Sequence, residues 1–242
     1  MGKKKLQRFA ETDTFPHFVQ VSFAEAVGGF RLQGRWANEF FRNSNPLVLE
    51  LGCGKGEYTV GLARKYPDRN FIGVDIKGAR MWRGAKTSMQ ESLANVAFLR
   101  TRIELIGHFF GPQEVDEIWI TFPDPQLKVS RGKKRLTHPQ FLNRYKGMLK
   151  DHHVIHLKTD SIPLYQYTLA LVQHNGYELL YNTSDLYADR PDDEASLFQT
   201  FYEKMWLDQG LKINYLRFRM DLSREAVSIA DAIENQIFHA EG

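Results

Sequence analysis

Three glycines at alternate positions, Gly52, Gly54 and Gly56, follow directly on the apolar run Leu47-Val48-Leu49-Glu50-Leu51. The run predicts a buried strand and Glu57 to Tyr66 a helix, which leaves the glycines as the turn between them. A strand, glycine turn and helix in this order lets a ligand lie against bare backbone at a helix N-terminus, where free N–H groups and the dipole favour an anionic group. The spacing is tighter than the Gly-x-Gly-x-x-Gly of dinucleotide enzymes, and Lys55 is not followed by the Ser or Thr of a phosphate-binding P-loop. Glu50, at the strand's end, sets a negative charge beside the ligand and suits a cationic cofactor better than a triphosphate. S-adenosylmethionine, a sulfonium with an amino-acid tail and a ribose, meets all three conditions.

The rhythm continues downstream. Strands are predicted at 70–75, 96–99, 116–122, 153–158 and 176–182, separated by helices at 78–93, 103–110, 138–149 and 162–174. The strands are short apolar runs without alternation, as expected where helices cover both faces of a parallel sheet. Upstream, apolar residues from Phe23 to Phe41 predict a helix broken at Gly28-Gly29 and Gly34. Residues 183–199 read as an acidic surface loop, 200–209 as a helix, and 223–238 as a terminal helix. Residues 212–220 alternate in polarity and predict one antiparallel edge strand. The fold class is therefore α/β, Rossmann-like, with a mostly parallel sheet and helices on both faces. With 242 residues, 43% of them hydrophobic, the chain can bury one substantial core. We expect a basic, flexible N-terminal arm over 1–20, a single domain over 21–220 and a helical tail over 221–242.

Net charge is only +3, but it is unevenly placed. Lys3, Lys4, Lys5 and Arg8 precede the first acid at Glu11, and Lys128, Arg131, Lys133, Lys134 and Arg135 form a second cluster with no acid among them. No apolar stretch follows the basic N-terminus as a secretory signal requires, and none is long enough for a membrane span, so the expectation is a cytoplasmic chain that does not engage membranes. The lone cysteine, Cys53, excludes an internal disulfide and reads as a small packing residue. His152 and His156 are four apart but in or next to a strand, so no metal site is expected.

In open parallel sheets ligands bind beyond the carboxyl ends of the strands. Glu50, Asp75, Asp124 and Asp160 each follow a predicted strand there. Asp75 lies about 20 residues after Gly52, where an acid hydrogen-bonds ribose hydroxyls. In Phe122-Pro123-Asp124-Pro125-Gln126, prolines on either side of Asp124 restrict the backbone and present a rigid carboxylate just past a strand. The basic run begins within four residues, as a strip for phosphates would.

These residues together resemble the bacterial tRNA (guanine-N7-)-methyltransferase family over residues 30 to 220. The resemblance rests on Leu49-Glu50-Leu51-Gly52-Cys53-Gly54-Lys55-Gly56, Gly73-Val74-Asp75-Ile76-Lys77, Asn95-Val96-Ala97-Phe98-Leu99-Arg100 and Phe122-Pro123-Asp124-Pro125 with Lys128. It extends through Lys134-Arg135-Leu136-Thr137-His138-Pro139, Leu157-Lys158-Thr159-Asp160 and Thr200-Phe201-Tyr202-Glu203. The resemblance implies a class I S-adenosylmethionine-dependent methyltransferase acting on N7 of the variable-loop guanine at position 46 of tRNA. It implies cofactor contacts from Glu50, Asp75 and Asp124, with Gly52, Gly54 and Gly56 forming the turn and Asp124 the catalytic candidate. Lys128, Asp160, Thr200, Phe201, Tyr202 and Glu203 become substrate contacts, joined by Arg131, Lys133 and Arg135 as phosphate contacts, and no obligatory protein partner is implied. Two positions depart from the pattern. Arg102 stands where the family carries an acid for the adenine amino group, which leaves that contact to backbone or to Glu104, and Gln126 stands where it favours Trp.

Guanine N7 has an in-plane lone pair and no proton, so its methylation needs alignment and electrostatics rather than a general base. Asp124 and Asp160 are the carboxylates to favour the developing cation or accept from the purine N1–H and N2–H₂. Two rival readings share the glycine turn. One is a methyltransferase of another substrate, which gives the basic strip no purpose. The other is an inactive tRNA-binding protein on the same fold.

Overall fold

The computed structural model describes residues 3–239. They form two compact units, residues 3–118 with 148–150, and 119–147 with 151–239, where the sequence reading groups 21–220 as one domain.

The first unit carries helix α1 (Lys3–Thr12), strand β1 (Phe18–Val19), helix α2 (Phe23–Val27), strand β2 (Leu47–Leu51), helix α3 (Glu57–Lys65), strand β3 (Asn70–Asp75), helix α4 (Gly78–Gln90) and strand β4 (Val96–Arg100). All five residues of β2 are buried, as an apolar strand covered on both faces should be. Its strands run parallel in the order β1-β4-β3-β2. The register pairs Leu51 with Val74 and Asp75 with Arg100, so the glycine turn, Asp75 and Thr101 all emerge at one edge. The expected helix break upstream is real: α2 is followed by a separate π-helical turn, Trp36–Phe41, whose Trp36 is fully buried.

Within residues 1–20, expected as a basic, flexible arm, α1 forms over Lys3–Thr12 and β1 pairs with β4. The cause is tertiary, because local pattern is weak there. Glu11 accepts from the Trp82 indole and from Lys86, both at 2.7 Å, Arg8 lies over the Trp82 ring, and Arg100 lies over Phe9. The helix expected over 103–110 is a 3-10 helix over Ile103–His108.

Strand β5 (Val115–Thr121) runs from the first unit into the second, which also carries α5 (Pro139–Lys146), most of β6 (Leu149–Thr159), α6 (Ile162–His174), β7 (Glu178–Thr183), α7 (Leu186–Asp189), α8 (Phe201–Asp208), β8 (Asn214–Arg219) and α9 (Asp231–His239). Its strands run β6-β8-β7, with β8 antiparallel to both neighbours, which places the antiparallel pair at the sheet's edge. The core here stacks Trp119 on His156, ring centroids 3.8 Å apart, and His156 Nδ1 meets the Tyr215 hydroxyl at 2.7 Å. Two further expectations change. The acidic 183–199 segment contains α7 and a short 3-10 turn, Glu194–Ser196, rather than loop alone. The terminal helix begins at Asp231 rather than 223.

Candidate active site

In the first unit, Gly52, Gly54 and Gly56 all have positive φ, +80°, +55° and +70°. The two acids flanking this turn tie it to its neighbours. Asp75 Oδ2 accepts from Gly54 N at 2.9 Å, and its Oδ1 accepts from Lys77 N at 2.7 Å. Buried Glu50 accepts through Oε2 from Thr59 N at 2.8 Å and from the Thr59 hydroxyl, which ties the end of β2 to the first turn of α3. Gly56 must be glycine for a packing reason as well, since a Cβ there would stand 2.5 Å from the Phe98 ring. Gly54 is different: a Cβ there would meet nothing closer than the Gly52 carbonyl at 4.0 Å. Its bare backbone faces open space, a cradle that a side chain would fill. Cys53, buried within the turn, has its thiol pushed well up by burial, with Glu50 and Asp75 adding to the effect, so it packs rather than reacts.

Beyond the ends of β3 and β4 lies a cavity of about 890 Å³, lined by Gln20, Phe23, Ile76, Arg102, Glu104 and Phe109 among others. Ile76, directly after Asp75, is 48% exposed and offers an apolar plate. Arg102 and Glu104 are both exposed on this wall. The fit to S-adenosylmethionine is good on chemistry. Two carboxylates suit a sulfonium, an α-ammonium and a ribose diol, the open glycine backbone admits close approach, and the apolar plate suits a purine face.

In the second unit, Phe122 and Gln126 bracket the Pro-Asp-Pro sequence with φ of +47° and +48°. Positive φ at a bulky residue is a strained state that persists only where surroundings impose it, and such residues cluster at functional sites. Phe122 N donates to the Lys158 carbonyl of β6 at 2.8 Å, and Asp124 Oδ1 accepts from Gln126 N at 3.1 Å. Asp124 itself is exposed. Lys128, Arg131 and Lys133 are exposed on and beside the 3-10 helix Val129–Lys134. Asp160, just past β6, is half-buried, and burial pushes its carboxyl above the usual aspartate range.

Two predicted substrate contacts are not presented to solvent. Arg135 is 0% exposed. Its guanidinium donates to the Gln126 carbonyl at 3.0 Å and to Glu234 at 2.5 Å, and it lies 3.7 Å over the Phe238 ring, so it belongs to the interior and not to the phosphate strip. Glu203 is likewise 0% exposed: it pairs with buried Lys158 at 2.6 Å, accepts from the Tyr187 hydroxyl at 2.6 Å, and closes a capping box with Thr200 at the start of α8. Burial lowers the Lys158 ammonium below its ordinary value, against the pull of Glu203. These contacts correct the expectation that Arg135 and Glu203 touch substrate, and they engage the Thr200 hydroxyl in the cap. Phe201 remains 57% exposed beside them, while the Tyr202 side chain lies outside the described residues. Sequence reasoning missed Lys158 as the anchor of this cluster. The available signal was a cation directly after the run Val154-Ile155-His156-Leu157, still within a predicted strand. Among the described residues no group of three or more His, Cys, Asp or Glu is arranged to hold a metal ion, and no helix is long and apolar enough to cross a membrane.

The methyltransferase family model Methyltransf_4 matches residues 44–216. A tRNA (guanine-N(7)-)-methyltransferase of Christiangramia forsetii is 54% identical over 221 residues, 90% of this chain and 99% of that protein. The protein of the same description from Bacteroides fragilis is 50% identical over 220 residues, 90% of this chain and 86% of its own length. That of Porphyromonas gingivalis is 54% identical over 210 residues, 85% of each. Among solved structures, the 16S rRNA methyltransferase KamB is similar with a TM-score of 0.57 at 18% identity, covering 84% of this chain and 95% of that one. A 16S rRNA (adenine(1408)-N(1))-methyltransferase from Catenulisporales acidiphilia, solved with its cosubstrate SAM, gives 0.52 at 14% identity, covering 86% and 96%. At such identities the likeness concerns the fold, and that fold is the one the strand–helix rhythm predicts.

Proposed function

The chain belongs to the tRNA (guanine-N(7)-)-methyltransferase family, and on that premise we propose that it methylates N7 of the variable-loop guanine at position 46 of tRNA, with S-adenosylmethionine as donor. The observation that carries the cofactor half is the glycine turn, whose open Gly54 backbone is held in place by Asp75. Glu50, Gly52, Gly54, Gly56 and Asp75 hold the amino-acid and ribose parts, and Arg102 lies on the cavity wall beside Ile76 for the purine end. When bound, the cofactor supplies an electrophilic methyl on a sulfonium.

The remaining work falls to the chain's own residues. N7 bears no proton, so no side chain has to remove one. Asp124, fixed by two prolines and its bond from Gln126 N, places a carboxylate toward the cation that develops on the purine. Asp160, half-buried, accepts from the N1–H and N2–H₂ edge. Lys128, Arg131 and Lys133 bind the RNA backbone, and exposed Phe201 offers an aromatic face to a base. The chain acts without an obligatory protein partner.

Incubating the purified chain alone with methyl-labelled S-adenosylmethionine and total tRNA tests the reading. Label recovered as 7-methylguanosine is expected. Label on another base makes the chain a methyltransferase of different specificity, and tRNA retention without label makes it an RNA-binding scaffold.

A further inference from the structure

Arg135 sits in a cluster of cations, yet it is sealed from solvent and faces inward. Hydrogen bonds run from the C-terminal helix to the Pro-Asp-Pro loop through this one guanidinium. Glu234 of α9 accepts from Nη1, Nη2 donates to the Gln126 carbonyl, and Gln126 N donates to Asp124 Oδ1. Phe238, one turn on from Glu234, and Tyr167 of α6 cover the guanidinium with their rings, at 3.7 and 4.7 Å. Gly132 leaves room for the arrangement, since a Cβ there would fall 2.7 Å from Glu234 Oε1 and 2.9 Å from Arg135 Nη1. Gln126 is also one of the two strained residues of the loop, and its carbonyl is where the latch takes hold.

We propose that Arg135, locked by Glu234, is a positioning residue that holds Gln126 in its left-handed conformation and thereby aims the Asp124 carboxylate. A planar fork fits this role where a lysine would not, because two parallel donors must reach a carboxylate and a carbonyl at once. The 3-10 helix bearing Arg131 and Lys133 ends at Arg135, while its exposed cations take no part in the latch. The inference rests on the reading of Asp124 as the group facing the reacting purine.

The test is a double-mutant cycle between latch and carboxylate, read by single-turnover methylation with enzyme in excess. Glu234→Gln and Arg135→Lys are each expected to lower the methylation rate about tenfold, with the KM for tRNA and the heat of S-adenosylmethionine binding changed less than about twofold. In an Asp124→Asn background the same changes should cost less than about twofold more, because the group they aim is already gone. A merely structural role gives the opposite pattern: losses multiply in both backgrounds and follow the melting temperature. Should Arg135→Lys fail to fold, Glu234→Gln, which removes the charge that locks Nη1, decides alone. Full activity of Asp124→Asn overturns the underlying reading of Asp124. Loss in Asp124→Asn with wild-type rates in both folded latch variants overturns the latch.

Discussion

Replacing Gly54 or Gly56 by alanine separates the space the fold needs from the space the cofactor needs. Both residues are left-handed, and an L-residue there costs about 1–2 kcal/mol. At Gly54 nothing adds to that, because the new methyl meets no atom nearer than 4.0 Å. At Gly56 the methyl falls 2.5 and 2.7 Å from two atoms of the Phe98 ring, and overpacking of this kind adds about 1–3 kcal/mol. The stability losses are thus about 1–2 against about 2–5 kcal/mol. At about 2–4 °C per kcal/mol for a chain of this size, the melting temperature falls about 2–8 °C for Gly54→Ala and about 4–20 °C for Gly56→Ala. Binding should rank the other way. A ligand resting on the bare Gly54 backbone is displaced by the new methyl, and a clash of about 1–3 kcal/mol weakens Kd about 5- to 150-fold. Scanning calorimetry and titration with the demethylated cofactor product measure both quantities on the same samples. Gly54→Ala binding that product with wild-type affinity would refute the argument, because the open side of the turn would then face only solvent.

Neutralising Lys128, Arg131 and Lys133 together is expected to weaken tRNA binding. The dependence of log K on log salt should flatten by about one for each phosphate left without its cation, read by filter binding across a salt series. Indifference to all three substitutions makes the strip a solvated turn. Asp160 gives a pH signature of two opposite signs. Because burial holds its folded-state pKa above the ordinary 3.8, the folded chain keeps a proton that the unfolded chain has lost, so stability falls as pH rises through that window. Methylation should rise over the same window as the accepting carboxylate forms, and Asp160→Asn should abolish both trends. Lys158→Met strands the buried Glu203 carboxylate and should cost about 3–5 kcal/mol by chemical denaturation, whereas pairing it with Glu203→Leu should recover most of that loss.

Much of the first unit was legible because its signals are local. A short apolar run ended by glycine or an acid defines β2 and β3, and both were placed with their observed limits; in the second unit the same holds for α6, between Ser161 and Asn175. Asp75 was placed at a strand end by the same logic, although the direction of its carboxylate, into the glycine turn, was not. What stayed hidden depends on partners distant in sequence. α1 is secured by Trp82 and Lys86, more than 70 residues away. The apolar spacing of Ala226, Val227 and Ala230 reads as helix, but two asparagines satisfy that backbone in another way. Asn143 bonds both the N–H and the carbonyl of Ala226, and Asn175 does the same for Val227. Those side-chain amides stand in for a neighbouring strand, and the helix waits until Asp231.

The two misread charges share a cause. Arg135 and Glu203 each sit in a polar motif that also carries exposed groups, and a linear reading assigns the whole motif to the ligand. In the fold each lies one layer behind the exposed groups, paired with an opposite charge from another element: Arg135 with Glu234 of α9, and Glu203 with Lys158 of β6. Stability alone does not account for such pairs, because removing two charges from water costs about as much as their attraction returns, and well-packed apolar residues often do better. What an ion pair adds is direction, since a guanidinium fork or a carboxylate satisfied by three donors tolerates little rotation. The segments so directed are the Pro-Asp-Pro loop, with Asp124 at its tip, and the start of α8, with Phe201 exposed beside its cap. Under the function proposed above, both are segments whose precise placement, more than their strength of attachment, decides the rate of an in-line transfer.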